Sequence, residues 1–230
     1  MNYLSPEWSI FQFKMNCPPS YRSWLLLPAL FSCHLLMAQL PVSREPHHKV
    51  IFENKYLRLL EGAIPVNDTT AAHLHAANSV VVFLSHSTFG IQIIGENPVI
   101  TTVRPGDMKY VAYGDKPVTH IVWNQTPPIF HFFVVELSKR LPAKDSCPTL
   151  SQPGVNFQWQ QKSVTAYYLD IPDSQRYRLP PSGCARLLID ITGTISTGSR
   201  TLQPDNYIFF PPQSRIEING PTRRVLLEIK

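Results

Sequence analysis

The sequence predicts an all-β protein, and three observations carry that expectation. Proline is used 22 times in 230 residues, about twice the ordinary rate, and proline removes a backbone donor that long helices need. Twelve Phe and nine Tyr join many Val, Ile and Thr, the residue types that suit a pleated, half-buried surface. Short apolar runs recur every eight to twelve residues between turn signals, the spacing of a sandwich or barrel. The 43% hydrophobic content excludes a disordered tail protein. The net charge of +5 is modest, and no Lys/Arg run exceeds two residues, so no nucleic-acid partner is expected.

Residues 1–38 read as an export signal. Arg22 precedes the apolar run Trp24–Met37, and Ala38 closes it. A positive flank, a short apolar core and a small terminal residue describe a secretory signal peptide. The run is shorter than the roughly twenty residues of a membrane span, so no stable span is expected once the signal is cleaved. Cleavage after Ala38 leaves Gln39 as the new N-terminus; Met1 and Met15 both serve as possible starts. A lipoprotein box ending at Cys33 is a poorer fit, because Phe31 suits it badly and apolar residues follow the cysteine. The expected destination is the periplasm or the exterior. Cys17 and Cys33 leave with the signal, whereas Cys147 and Cys184 stay where a disulfide can persist; whether those two meet is open in the sequence.

Residues 39–49 read as an N-terminal extension, with His47-His48 solvated. Strands then follow at Leu57–Ile64, Val80–Leu84, Phe89–Ile94, Val99–Val103, His120–Asn124 and Ile129–Leu137. Pro65-Val-Asn-Asp68, Gly95-Glu-Asn-Pro98, Pro105-Gly-Asp107 and Gln125-Thr-Pro-Pro128 punctuate them. Residues 50–138 thus form one domain and 139–161 a linker rich in Pro, Ser and Lys. Residues 162–230 form a second domain, with strands at Val164–Ile171, Arg186–Thr192, Asn206–Phe210, Ser214–Ile218 and Arg223–Ile229. The halves echo each other at Tyr56–Pro65 and Val164–Pro172, which indicates a duplicated unit rather than a solenoid.

The chemistry gathers on histidine. His73 and His75 share one face of a strand because side chains alternate, and His120 opens another strand. Three neutral imidazoles suffice as an inner shell for a first-row divalent metal with open positions. The pattern resembles the cupin superfamily. His73-Leu-His75 falls on the two histidines of the first cupin motif, and Asn67 stands where that motif has glycine. His120-Ile-Val-Trp-Asn124 matches the His-x-x-x-Asn of the second motif, and Pro105-Gly-Asp107 matches the turn before it. The Pro-x-Gly near that histidine is missing. The match covers about residues 50–137, with a fainter copy over 162–230. The resemblance therefore implies two jelly-roll β-barrels in tandem, the second degenerate. Counting from the Ile-Pro of each half, Pro180 and Ser182 stand for the two motif histidines, and Ile216 and Ile218 lie near the place of His120.

The resemblance also implies a site of unusual charge. Cupin metal sites commonly add a glutamate, and Ser79 stands in its place here, beside Asn78. A divalent ion held by imidazoles alone keeps its full charge and favours anionic or chelating ligands. The expected cofactor is one divalent transition metal (Fe, Mn, Ni, Cu or Zn) on His73, His75 and His120. Asn78, Ser79, Asn124, Gln92 and Glu136 are candidates for polar groups around it, while His86 and His131 read as structural. Tyr110, Tyr113, Phe83 and Phe133 are either pocket walls or core, and Trp123 points away from the metal by strand parity. The expected function is oxidative, dioxygenase-like chemistry on a small molecule. The rivals are a binding module for a sugar, metabolite or metal, and a decayed structural cupin, with a homodimer possible in each case. No phosphate loop, Gly-x-Ser-x-Gly or His-Glu-x-x-His appears.

Overall fold

The computed structural model describes residues 39–138, 147–171, 177–192, 195–197, 200–202, 206–218 and 222–230. The expected signal peptide, with Cys17 and Cys33, lies outside the described residues, as does the start of the expected linker. Among the described residues no helix is long and apolar enough to cross a membrane.

Strands are numbered in chain order. The first half pairs two five-stranded sheets. One runs β1 (Leu40–Pro41), β4 (His73–His75), β9 (Val118–Asn124), β6 (Ser87–Ile93), β7 (Val99–Val103). The other runs β2 (His48–Glu53), β3 (Leu57–Ile64), β10 (Phe130–Leu137), β5 (Asn78–Phe83), β8 (Met108–Ala112). Alternation explains the layering. Along β10, Phe130, Phe132 and Val134 point into the space between the two sheets, where they meet Leu60, Phe89 and Val122. Phe133, Val135 and Leu137 point the opposite way. Burying both faces is why Phe130–Leu137 is apolar without interruption but for His131 and Glu136.

The outer face of β10 is covered by the second half. That half has a five-stranded sheet ordered β11 (Val155–Gln160), β12 (Val164–Ile171), β19 (Thr222–Ile229), β14 (Ala185–Thr192), β17 (Tyr207–Phe210). Two strand pairs accompany it: β13 (Tyr177–Leu179) with β18 (Ile216–Ile218), and β15 (Ile195–Thr197) with β16 (Arg200–Leu202). Leu59, Val82, Phe133 and Val135 of the first half share one core with Ala166, Leu187, Val225 and Leu227 of the second. Adding nine to each strand number turns β2-β3-β10-β5-β8 into β11-β12-β19-β14-β17. The same step turns β4·β9 into β13·β18 and β6·β7 into β15·β16.

Several boundaries differ from the sequence reading. The first half begins at Leu40 rather than Val50, because β1 pairs in parallel with β4 and His48 opens β2. The segment expected as an extension is therefore part of both sheets. β11 lies inside the expected linker as an edge strand on β12. Cys147 and Cys184 form a disulfide across 37 residues, with Cα atoms 6.0 Å apart.

Candidate metal centre

β4 is three residues long, and its placement rests on the turn before it. Asn67 adopts φ +62°, the left-handed conformation that asparagine tolerates better than most residues. The chain then returns along β9 with His73 directly opposite His120 and His75 opposite Val118. Opposed residues of an antiparallel pair point to the same face, and so do His73 and His75 by alternation. The three rings therefore converge, with centroids 5.1 Å apart for His73–His75, 4.6 Å for His73–His120 and 4.7 Å for His75–His120. All three are buried, at 0%, 4% and 7% exposure respectively.

Nitrogen bookkeeping shows what the cluster lacks. His73 Nδ1 donates to the Ala71 carbonyl at 2.8 Å, which leaves Nε2 as its lone pair. That Nε2 stands 3.0 Å from His120 Nε2. Two imidazoles bound about 2.1 Å from one ion place their nitrogens about 3.0 Å apart at right angles. Both ring nitrogens of His75, and Nδ1 of His120, are buried with no hydrogen-bond partner. An orphaned buried polar atom costs about 1–3 kcal/mol, and an ion beside the His73 and His120 Nε2 atoms would give His75 a partner for one of its two orphaned nitrogens. Burial drives the imidazoles down to about 4 for His73, about 2 for His75 and about 3 for His120, with repulsion among the rings adding to it at His75 and His120. At neutral pH each is the uncharged ring that a metal requires. The residues fit a divalent transition ion.

A fourth histidine, missed in the sequence, stands beside them. His48 was expected in solvent, but it is 6% exposed. One ring nitrogen from each of His48, His73 and His75 lies within 4.8 Å of the others. Its Nδ1 donates to Glu45 Oε2 at 2.7 Å. His47 Nδ1 donates to Glu45 Oε1 at 2.9 Å, and its Nε2 bonds Asp68 at 3.0 Å. Burial pushes the Glu45 carboxyl up, but the bonds from His48 and His47 outweigh it and bring it down to about 2.

The remaining candidates make their hydrogen bonds to other groups. Asn78 Oδ1 accepts the Gly114 amide at 2.8 Å and so ties the β8–β9 loop. Ser79 is fully buried and donates to the Ala77 carbonyl. Asn124 donates to the Ile64 and Pro128 carbonyls and accepts the Thr126 amide, which makes it a strut between β3 and the loop after β9. Gln92 bonds the Glu96 carbonyl at the surface, because Phe89 and Ile91 take the inward positions of β6. Glu136 is held by Arg58 at 2.6 Å and so does not reach the cavity. His131 bonds Glu61, and His86 is exposed.

The site opens on a cavity of about 230 Å³. His48, His75, His120 and Tyr113 line one end; Phe83, Phe89, Val122, Phe130, Phe132 and Val134 supply most of the wall, with Lys109 also reaching it. In the second half the strand pairing puts Tyr177 and Leu179 at the positions of His73 and His75, and Ile218 at that of His120. Pro180 and Ser182 are displaced from that assignment because the connection into β13 is shorter than the one into β4.

This chain has the cupin fold. No family model matches the sequence, and no curated protein does. The bacterial pirin YhhW of Escherichia coli in complex with nickel(II) superposes with a TM-score of 0.58 at 11% identity, covering 83% of this chain and 97% of that one. A cupin 2 conserved barrel domain protein from Leptotrichia buccalis gives 0.52 at 8% identity, over 80% and 88%. Quercetin 2,3-dioxygenase from Acinetobacter baumannii gives 0.51 at 14% identity, over 77% and 75%.

Proposed function

We propose that this protein is an exported, metal-dependent cupin enzyme of oxidative type. Its substrate is a small molecule with a chelating or anionic head and an apolar body. The observation that carries the reading is the convergence of three buried imidazoles, with both His75 nitrogens partnerless, beside an apolar cavity. His73, His75 and His120 are the ligands, and the Ala71 carbonyl fixes the tautomer of His73. A divalent ion bound there would supply a Lewis acid that polarises the substrate's oxygen donors. The aromatic wall excludes water and orients the apolar body, while the Tyr113 hydroxyl and the Lys109 ammonium face an anionic head. The dioxygenase among the fold neighbours supports the oxidative class. The disulfide supports export, since such bonds persist in oxidising compartments. We also infer a tandem pair of cupin units, which the recurrence of the strand pairing supports.

The test is elemental analysis of the purified full chain beside His75→Ala. About one equivalent of Fe, Mn, Ni, Cu or Zn in the parent and its loss in the variant supports a metal protein. Oxygen consumption with thiols, diketones and phenols then supports the oxidative reading. A metal-free parent that takes up no added divalent ion would sink it.

A further inference from the structure

We propose that His48 is a fourth ligand of this centre and that Glu45 is the positioning residue that aims it. The inference rests on the metal reading of His73, His75 and His120.

The first observation is direction. His48 lies opposite Gly62 in the β2–β3 pair, and Gly62 lies opposite Phe132 in the β3–β10 pair. The three residues form one row across the sheet and share its inner face. Gly62 has no side chain to separate its neighbours, and the His48 and Phe132 rings meet with centroids 5.6 Å apart. His48 therefore projects into the barrel, where it lines the same cavity end as His75 and His120. Its ring centroid is 4.8 Å from that of His73.

The second observation is the carboxylate behind it. Nδ1 of His48 is committed to Glu45, so Nε2 carries the free lone pair. The Glu45 side chain is 0% exposed and accepts the Ala71 amide at 3.2 Å. Ala71 is the residue whose carbonyl holds His73 Nδ1. One buried carboxylate thus orients His48 directly and His73 through the backbone of a single residue, Ala71. A carboxylate–histidine pair behind a metal fixes the tautomer and raises ligand basicity.

The third is charge. Ser79 replaces the acid expected among the ligands, so three neutral imidazoles leave a divalent ion's charge uncompensated. Glu45 returns a negative charge one imidazole away from the ion, and it does so from the segment before β2 rather than from β5. Four nitrogens, with the carboxylate behind one of them, make a softer and less acidic centre than three nitrogens alone.

The experiment uses the full chain and cobalt(II) as the probe. Affinity is read by competition with a chromophoric chelator, and imidazole number by X-ray absorption. We expect four imidazoles in the parent and three in His48→Gln, with one cobalt per chain in both. Affinity should fall about 10- to 100-fold in His48→Gln and in Glu45→Gln. His75→Ala should fall further. In His48→Ala, added free imidazole should recover the fourth nitrogen signal. Unchanged affinity and imidazole number in His48→Gln would overturn the assignment while leaving the three-histidine centre intact. A parent that binds no cobalt would overturn both. Circular dichroism melts establish that each variant is folded, and Glu45→Gln tests the assignment independently of any cavity left by changing His48.

Discussion

Gly62 and Asn124 show how single residues hold the centre without touching an ion. A Cβ added to Gly62 would lie 2.2 Å from Cζ of Phe132, closer than real carbons approach, so the ring has to move. Gly62→Ala should cost about 1–3 kcal/mol as overpacking. Because Phe132 leans on His48, metal affinity should fall as well; urea melts and chelator competition measure the two effects, and an unchanged melt would refute this reading of the packing. Asn124 makes three hydrogen bonds from a buried position. Asn124→Ala orphans two carbonyls and an amide at about 1–3 kcal/mol each in the worst case, partly relieved by water. The variant should therefore melt lower yet keep its metal, which elemental analysis decides. The convergence of His73, His75 and His120 was legible because each sits in a short motif whose spacing and strand parity are local. His48 was not. Its inward aim depends on facing Gly62 across the β2–β3 pair and on a carboxylate three residues upstream, and neither shows as periodicity in a segment interrupted by Pro41 and Pro46.

At the scale of elements, strands dense in apolar or β-branched residues were the easiest to read. Leu57–Ile64, Val99–Val103 and Val164–Ile171 were expected with the bounds they have, since apolar or β-branched runs ended by Pro, Gly or Asp leave little choice. The short or polar strands were missed: β1 has two residues, and β8 and β11 are mostly exposed or half-buried. Such edge strands form because a neighbour offers hydrogen-bonding groups, not because of their own side chains. The disulfide ties the chain before β11 to the start of β14. It closes a long loop in the unfolded chain, so reducing it should cost about 2–4 kcal/mol. Thermal melts with and without a thiol reductant measure that loss. Metal content should stay the same, because both cysteines lie in the half without the histidine cluster; release of metal on reduction would show that the halves are coupled more tightly than their shared core implies.

At the scale of the whole molecule, the centre is a buried, partly unsatisfied polar cluster supported by two apolar cores. Burial there makes the metal-free protein acid-sensitive. In the unfolded chain a histidine titrates near 6.5. In the fold His73, His75 and His120 are held down to about 4, about 2 and about 3, chiefly by burial. Below 6.5 the unfolded chain therefore binds up to three protons that the folded chain refuses. Stability is complete above that pH and falls as pH drops through it, by at most about 4 kcal/mol per unit for three protons. Glu45 acts in the same direction further down. Its folded carboxyl sits near 2, so its contribution is present above about 4.5 and is lost as pH falls toward 2. His47 opposes them: burial lowers it, but Glu45 and Asp68 raise it on balance. Its contribution is present below 6.5 and fades as pH rises through its folded value, which flattens the curve near neutrality. Urea midpoints of chelator-treated protein at pH 7.5, 6.0 and 5.0 should therefore fall, and fall more steeply below 6 than above it. His75→Gln removes one of the three refused protons and should give a shallower decline. Midpoints that stay level from pH 7.5 to 5.0 would mean that the rings are hydrated in solution, and a hydrated cluster would not be the dry, neutral imidazole site on which the metal reading depends.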